Sequence, residues 1–153
     1  MPIDSGAIDT AVLQRLSTDA TLKGFMPDGV FFDLAPPASK RYVLLSVVDA
    51  FDARRFDGRS HESIRYMVKA VGHSGVTTAA TDVRNAAARI DALLDPQPPD
   101  PPVALTIAGY ELMASFRDLE LPRIRHTEPD AVDPTIRFFH RGGHYLIVAS
   151  TMP

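Results

Sequence analysis

Phe138–Ser150 reads FFHRGGHYLIVAS. Two histidines and an arginine surround a Gly-Gly pair, and an apolar run follows. Three readings compete: a reaction centre, a metal site, or a bend between two strands. In a hairpin, Gly-Gly supplies the positive-φ residues of a primed turn. On that reading Thr135–His140 and His144–Ala149 are the arms of a closing hairpin, and Gly142 and Gly143 are its structural turn. His140 and His144 stand four apart, as in helical zinc motifs. Yet Gly-Gly opposes a helix here, and no Glu follows the first His as in H-E-x-x-H. A third ligand is not evident, so neither metal nor cofactor is expected.

Working back from that stretch, Thr106–Leu121 carries an alternating set, Tyr110, Leu112, Ala114 and Phe116, which predicts a long strand ending at Pro122. Between it and the closing hairpin, Arg123–Asp133 is charged and contains Pro129, and reads as a mobile loop. Before it, DPQPPDPP at Asp95–Pro102 is five-eighths proline, a stiff internal connector. Val76–Leu94 has the clearest helical spacing, with Val76, Ala79, Ala80, Val83, Ala86, Ala87, Ile90, Leu93 and Leu94 on one face. Ser74, in the turn Gly72-His73-Ser74-Gly75, is its expected cap.

Two strands precede that helix. Arg41–Phe51 is a nearly continuous apolar run rich in β-branched residues and suits a central strand. Glu62–Val71 alternates, with Ile64, Tyr66, Val68 and Ala70 facing one way. The polar FDARRFDGRS, Phe51–Ser60, reads as a long hairpin loop between them. Upstream lie a helix over Ser5–Ser17, one short turn over Asp19–Gly24, and a short strand at Val30–Asp33. The order helix, short strand, two strands, long helix, three strands predicts an α+β fold. Its sheet is mainly antiparallel, with two helices packed on one face. The 153 residues suit a single domain over 1–153, with 95–102 as an internal Pro-rich loop.

Composition narrows the function. A net charge of −3 and a pI near 5.9 argue against a nucleic-acid binder relying on overall positive charge, and against a polybasic membrane surface. With no cysteine, disulfides, thiolate catalysis and Cys-based zinc sites are excluded. No apolar run approaches the roughly 20 residues needed to span a bilayer. The first ten residues carry two acids and no basic region, so a signal peptide is not expected, and a cytoplasmic protein or a particle assembled there fits.

Catalytic patterns are weak. Gly72-His73-Ser74-Gly75 lies between a strand and a helix but lacks the Walker Lys and the dinucleotide fingerprint. There is no G-x-S-x-G elbow. Asp118 and Glu120 share a strand face and read as a solvated or interface surface. No catalytic residue is expected. Arg54-Arg55 and Arg123/Arg125 are small basic spots on expected loops, suited to solvent, a partner subunit or a phosphate. Phe51, Phe56, Phe138 and Phe139 sit near loops or strand ends, where aromatics can serve the core or an interface.

Taken in order, AVLQRLSTDATLKGF, FFDLAPPASKRYVLLSVV, SIRYMVKAVG, TTAATDVRNAAARIDALLD and RFFHRGGHYLIVAS make a pattern that covers about Ala11 to Ser150. It resembles the tail completion or tail terminator proteins of long-tailed, non-contractile bacteriophages, prophages and gene transfer agents. The most specific piece is aromatic-His-x-Gly-Gly-x-Tyr, matched by Phe139, His140, Gly142, Gly143 and Tyr145. The Pro96–Pro102 insert and the length of Arg123–Pro134 depart from the usual pattern.

The resemblance implies a structural virion protein at the head-proximal end of the tail. It would form a ring, as a hexamer, that caps the tail tube and meets the head-side connector. DNA would pass through its lumen without specific binding. It implies no catalytic residues. Arg54, Arg55, Phe56, Asp57, Arg123 and Arg125 are the expected subunit or partner contacts. The alternatives are a head-closure or connector ring component, a small α+β ligand-binding protein or hydrolase, and a monomeric nucleic-acid-binding module.

Overall fold

The computed structural model describes residues 5–54 and 60–152. Helix α1 spans Ser5–Ser17 and α2 spans Ala20–Phe25, started by Asp19, whose carboxylate accepts from Leu22 N at 2.9 Å. Strand β1, Val30–Phe32, ends where Asp33 turns left-handed at φ 63°, a conformation Asp tolerates better than most residues. Strands β2 (Arg41–Arg54) and β3 (Ser60–His73) lead to α3 (Ala79–Leu94). Strands β4 (Tyr110–Arg117), β5 (Ile124–Pro129) and β6 (Arg137–Thr151) complete the chain.

The sheet runs β1-β2-β3-β6-β4, with β5 also on β6. Among the described strand pairs only β1–β2 is parallel. The α+β class and the mainly antiparallel sheet agree with the sequence reading. Among the described residues three helices are present rather than two, because α2 is a full short helix.

Period 2 decides which face is covered. Ile64, Tyr66, Val68 and Ala70 of β3 are buried, as are Tyr145, Ile147 and Ala149 of β6, and Val43 and Leu45 of β2. They form one core with Ile8, Val12 and Leu16 of α1, Leu22 of α2, and Val83, Ala86, Ile90, Leu93 and Leu94 of α3. The helix spacing read from sequence is therefore the packing stripe. Buried tyrosine hydroxyls need partners. Tyr66 donates to Asp9 Oδ1 at 2.6 Å, and Tyr145 donates to Asp91 Oδ1, so each strand is tied to a helix beneath it. Burial and these carboxylates push both phenols well above the usual range.

Several expectations fail. The closing hairpin exists, but its arms are β5 and β6 and its bend is 130–136, where Asp130 N donates to Ile136 O and Ile136 N to Asp133 O. Gly142 and Gly143 are not a turn. They lie inside the 15-residue β6, and neither has a positive φ among the described glycines. Glycine serves close approach there: a Cβ on Gly142 would sit 2.0 Å from Val68 O and 2.6 Å from Lys69 Cα. Gly143 has more room, its nearest neighbour being Arg117 Cδ at 3.5 Å.

Arg123–Asp133 is not a loop throughout, since Ile124–Pro129 pairs with Arg137–Gly142. The expected strand Thr106–Leu121 is confined to Tyr110–Arg117, and β2 and β3 extend into the expected loop as far as Arg54 and Ser60. Ser74 does not cap α3. Its N donates to Arg137 O and its Oγ accepts from Arg137 N, stitching the end of β3 to the start of β6. The residue before α3 is Thr78.

Candidate functional site

The uncovered face of the sheet carries the chemistry. A row crosses it through partners Asp49, Arg65, Leu146 and Phe116 on β2, β3, β6 and β4. Arg65 sits at its centre. Its Nη1 donates to Asp49 Oδ2 at 2.5 Å and its Nε to Asp118 Oδ2 at 2.9 Å. The guanidinium carbon lies 6.0 Å from the centroid of Phe51. Large apolar side chains remain exposed around this network: Phe51 at 51%, Phe116 at 40% and Leu119 at 78%. Val48 and Met113, at the register shifts of β2 and β4, are also exposed.

Both sides of the sheet also end in strand edges. β1 covers β2 only from Val43 to Leu45, so Val47–Arg54 has no outer strand partner among the described residues. On the far side, β4 and β5 both pair with β6 along the same edge, and no described strand lies beyond them. A shallow groove there is lined by Pro96, Pro98 and Pro102 of the connector together with Met113–Phe116 of β4. Prolines lack the N–H needed to extend a ladder, so they blunt that edge.

At the other end of β6 lies a compact polar cluster. His126 of β5 and His140 of β6 are cross-strand partners, and their rings stack with centroids 4.4 Å apart and planes within 10°. Glu128, two residues on from His126, is on the same face. His126 Nε2 lies 3.0 Å from Glu128 Oε1, and His140 Nε2 lies 3.5 Å from Glu128 Oε2. His126 and Glu128 are exposed, whereas His140 is only 7% exposed and neither of its ring nitrogens has a hydrogen-bond partner. Burial, reinforced by the Lys69 charge and opposed by Glu128, pushes the His140 pKa down to about 4, so this imidazole is neutral at neutral pH.

The residues singled out from sequence fare unevenly. His140 and His144 share one face of a single strand, about 13 Å apart, and do not converge. Arg123 is held by Asp91 at 2.7 Å, the same carboxylate that Tyr145 reaches. Arg125 lies on β5 opposite Arg141, on the face away from His126 and His140. Arg55, Phe56 and Asp57 lie outside the described residues, as does the side chain of Arg54. His61 of β3 pairs with Ser150 and β5 begins beside Gly142, about 26 Å away along β6. His126 and Glu128 escaped the sequence reading. Their signal was the i, i+2 spacing of two ligand-type side chains, which matters only once the segment is known to be a strand.

No protein-family model matches the chain, and no curated protein sequence matches it. Solved structures do. A chain of the "virion of native gene transfer agent (GTA) particle" superimposes with a TM-score of 0.65 at 19% identity, covering 95% of this chain and 96% of that one. A second solved protein superimposes with a TM-score of 0.50 at 18% identity, covering 99% and 98%. At these identities the likeness is one of fold, and it runs nearly the full length of all three chains.

Proposed function

We propose that this chain is a structural virion protein of the tail terminator kind. It assembles into a ring, caps the tail tube, and presents the other side of the ring to the head-side connector. The observation that carries this reading is the full-length fold likeness to a chain of a gene transfer agent particle, which joins the ordered sequence pattern ending in Phe139, His140, Gly142, Gly143 and Tyr145. The surface fits the role. A subunit of a ring needs two different patches that meet head to tail. Here the outer edge of β2 and the β4–β5 edge lie on opposite sides of one sheet; exposed Phe51 and Phe116 are on those outer strands, and exposed Leu119 lies just past β4. Strand addition between neighbours is one way such edges close.

On this reading the protein sits at the head-proximal end of the tail. DNA passes through the ring without being held, and no catalytic step is required. Arg54, Arg55, Phe56 and Asp57, which follow β2 in sequence, with Arg123 and Arg125 at the start of β5, are the proposed contacts to neighbouring subunits or partners. Purified tail tubes test it. The protein should bind tube ends, stop further growth, and appear there as a ring of about six subunits. Failure to bind tube ends, with binding to isolated connectors instead, would favour a head-closure component.

A further inference from the structure

We propose that His126, Glu128 and His140 form a binding site for one transition-metal dication of the Zn2+ class, clamping edge strand β5 to β6. Donor type, donor placement and an unpartnered buried group point to it. The three ligand atoms all lie within 4.8 Å of one another. Two of the separations, 3.0 and 3.5 Å, bracket the roughly 3.3 Å between donors around a tetrahedral ion with bonds near 2 Å. Both imidazoles aim the same nitrogen, Nε2, at the carboxylate, one at each oxygen.

His140 supplies the independent observation. It is more than nine-tenths buried, its ring nitrogens have no hydrogen-bond partner, and its Nε2 faces Glu128 Oε2 across a distance too long for a good hydrogen bond. A buried polar group left so costs stability unless something satisfies it. A neutral imidazole lone pair is the form a metal takes.

The donor set selects the ion. Two imidazoles and one carboxylate suit Zn2+, Co2+, Ni2+ or Cu2+, whereas Mg2+ and Ca2+ prefer oxygen alone. Glu128 brings the negative charge, and Lys69, whose field reaches His140, opposes it. The exposed side, where His126 and Glu128 meet solvent, leaves the fourth position to water. The site does not depend on the ring reading, since all three ligands come from one chain.

The test uses tag-free full-length protein, stripped with a chelator and exchanged into a non-coordinating buffer. Titration calorimetry with Zn2+ should give one ion per chain. His126→Ala and Glu128→Gln, both at exposed positions on an edge strand, should each weaken binding at least about tenfold, whereas His61→Ala, at the start of β3 beside Ser150, should not. Co2+ should show the visible bands of a four- or five-coordinate nitrogen-ligated ion, absent in His126→Ala. Zn2+ should raise the thermal midpoint of the parent chain and leave that of Glu128→Gln nearly unmoved. Absence of saturable binding, binding untouched by both variants, or displacement by Mg2+ at equal concentration would each overturn the proposal.

Discussion

The two faces of the sheet solve different problems with the same strands. Under the helices, β3 and β6 present apolar side chains and two tyrosines whose hydroxyls are anchored on Asp9 and Asp91. On the uncovered face the same strands carry Arg65, Lys69, His140 and His144, with Phe51 and Phe116 left half in water. The covered face is specified by burial, and its alternation is visible in any single strand. The uncovered face is specified by clusters that join separate segments of the chain: Asp49–Arg65–Asp118 across β2, β3 and the end of β4, and His126–Glu128–His140 across β5 and β6. No single segment reveals them.

The glycine pair gives the sharpest way to break this contrast. Gly142 has the parity of the uncovered face and Gly143 that of the covered one. Gly142→Ala forces a Cβ to 2.0 Å from a carbonyl oxygen and 2.6 Å from a neighbouring Cα, both backbone atoms that cannot swing away. A loss of about 3 kcal/mol or more, or failure to fold, is expected. Gly143→Ala meets only Arg117 Cδ at 3.5 Å and the Tyr145 ring at 3.6 Å, and should change stability by less than about 1 kcal/mol. Urea unfolding of both variants decides it. Equal damage from the two would restore the turn that the dipeptide suggests.

That dipeptide shows how far the sequence could be read. Ile64, Tyr66, Val68 and Ala70 announce a strand, and Val83, Ala86, Ile90 and Leu93 a helix, because each pattern depends on one element meeting one core. Gly142-Gly143 has the same composition whether it bends the chain or lets β3 come close. The choice belongs to Val68 and Lys69, more than 70 residues earlier. Likewise RHTEP in β5 shows no apolar alternation, because an edge strand that buries only Ile124 in part has none to show. Missing β5 meant missing the cluster, since His126 meets His140 only through that pairing.

Next in size is the hydroxyl of Tyr66. Tyr66→Phe leaves the ring packed but strips Asp9 of its buried partner. About 2 kcal/mol should be lost. Tyr145→Phe should cost less, because Asp91 keeps Arg123. Thermal or urea unfolding orders the two, and the reverse order would mean that Arg123 does not hold Asp91.

Asp19 links α2 to α3 and carries a pH signature. It caps Leu22 and takes a two-pronged contact from Arg89, at 2.9 and 2.6 Å. The Arg89 hydrogen bond, the Leu22 N–H and nearby positive charge outweigh burial and hold its pKa below the usual carboxylate value. A folded pKa below the unfolded one means that the unfolded chain binds the proton more tightly. The stabilisation is then full above about pH 4 and fades as pH falls through the folded value. Asp19→Ala should cost about 1 kcal/mol at pH 7 and flatten that part of the acid limb. Asp19→Asn, which keeps an acceptor for the cap, should lose less at pH 7 yet flatten the limb equally. An unchanged acid limb in both would show that the pair does not couple to folding.

The smallest effect is expected where the uncovered face looks most organised. Arg65 bridges two carboxylates and lies near an aromatic ring, yet its side chain is 23% exposed and that of Asp49 is 37% exposed. Pairs so placed are screened by water and salt and contribute little, on the order of 1 kcal/mol or less. Arg65→Met keeps the stem over Phe51 and removes the charge, leaving Asp49 and Asp118 facing each other. A loss of about 1 kcal/mol is expected in low salt, and it should shrink as salt rises. A loss beyond about 3 kcal/mol, independent of salt, would mean that this face is as dry as the helical one, and the contrast between the two would fail. If the fold is barely disturbed but the proposed ring no longer forms on tail tubes, then the network serves the neighbouring subunit rather than its own fold.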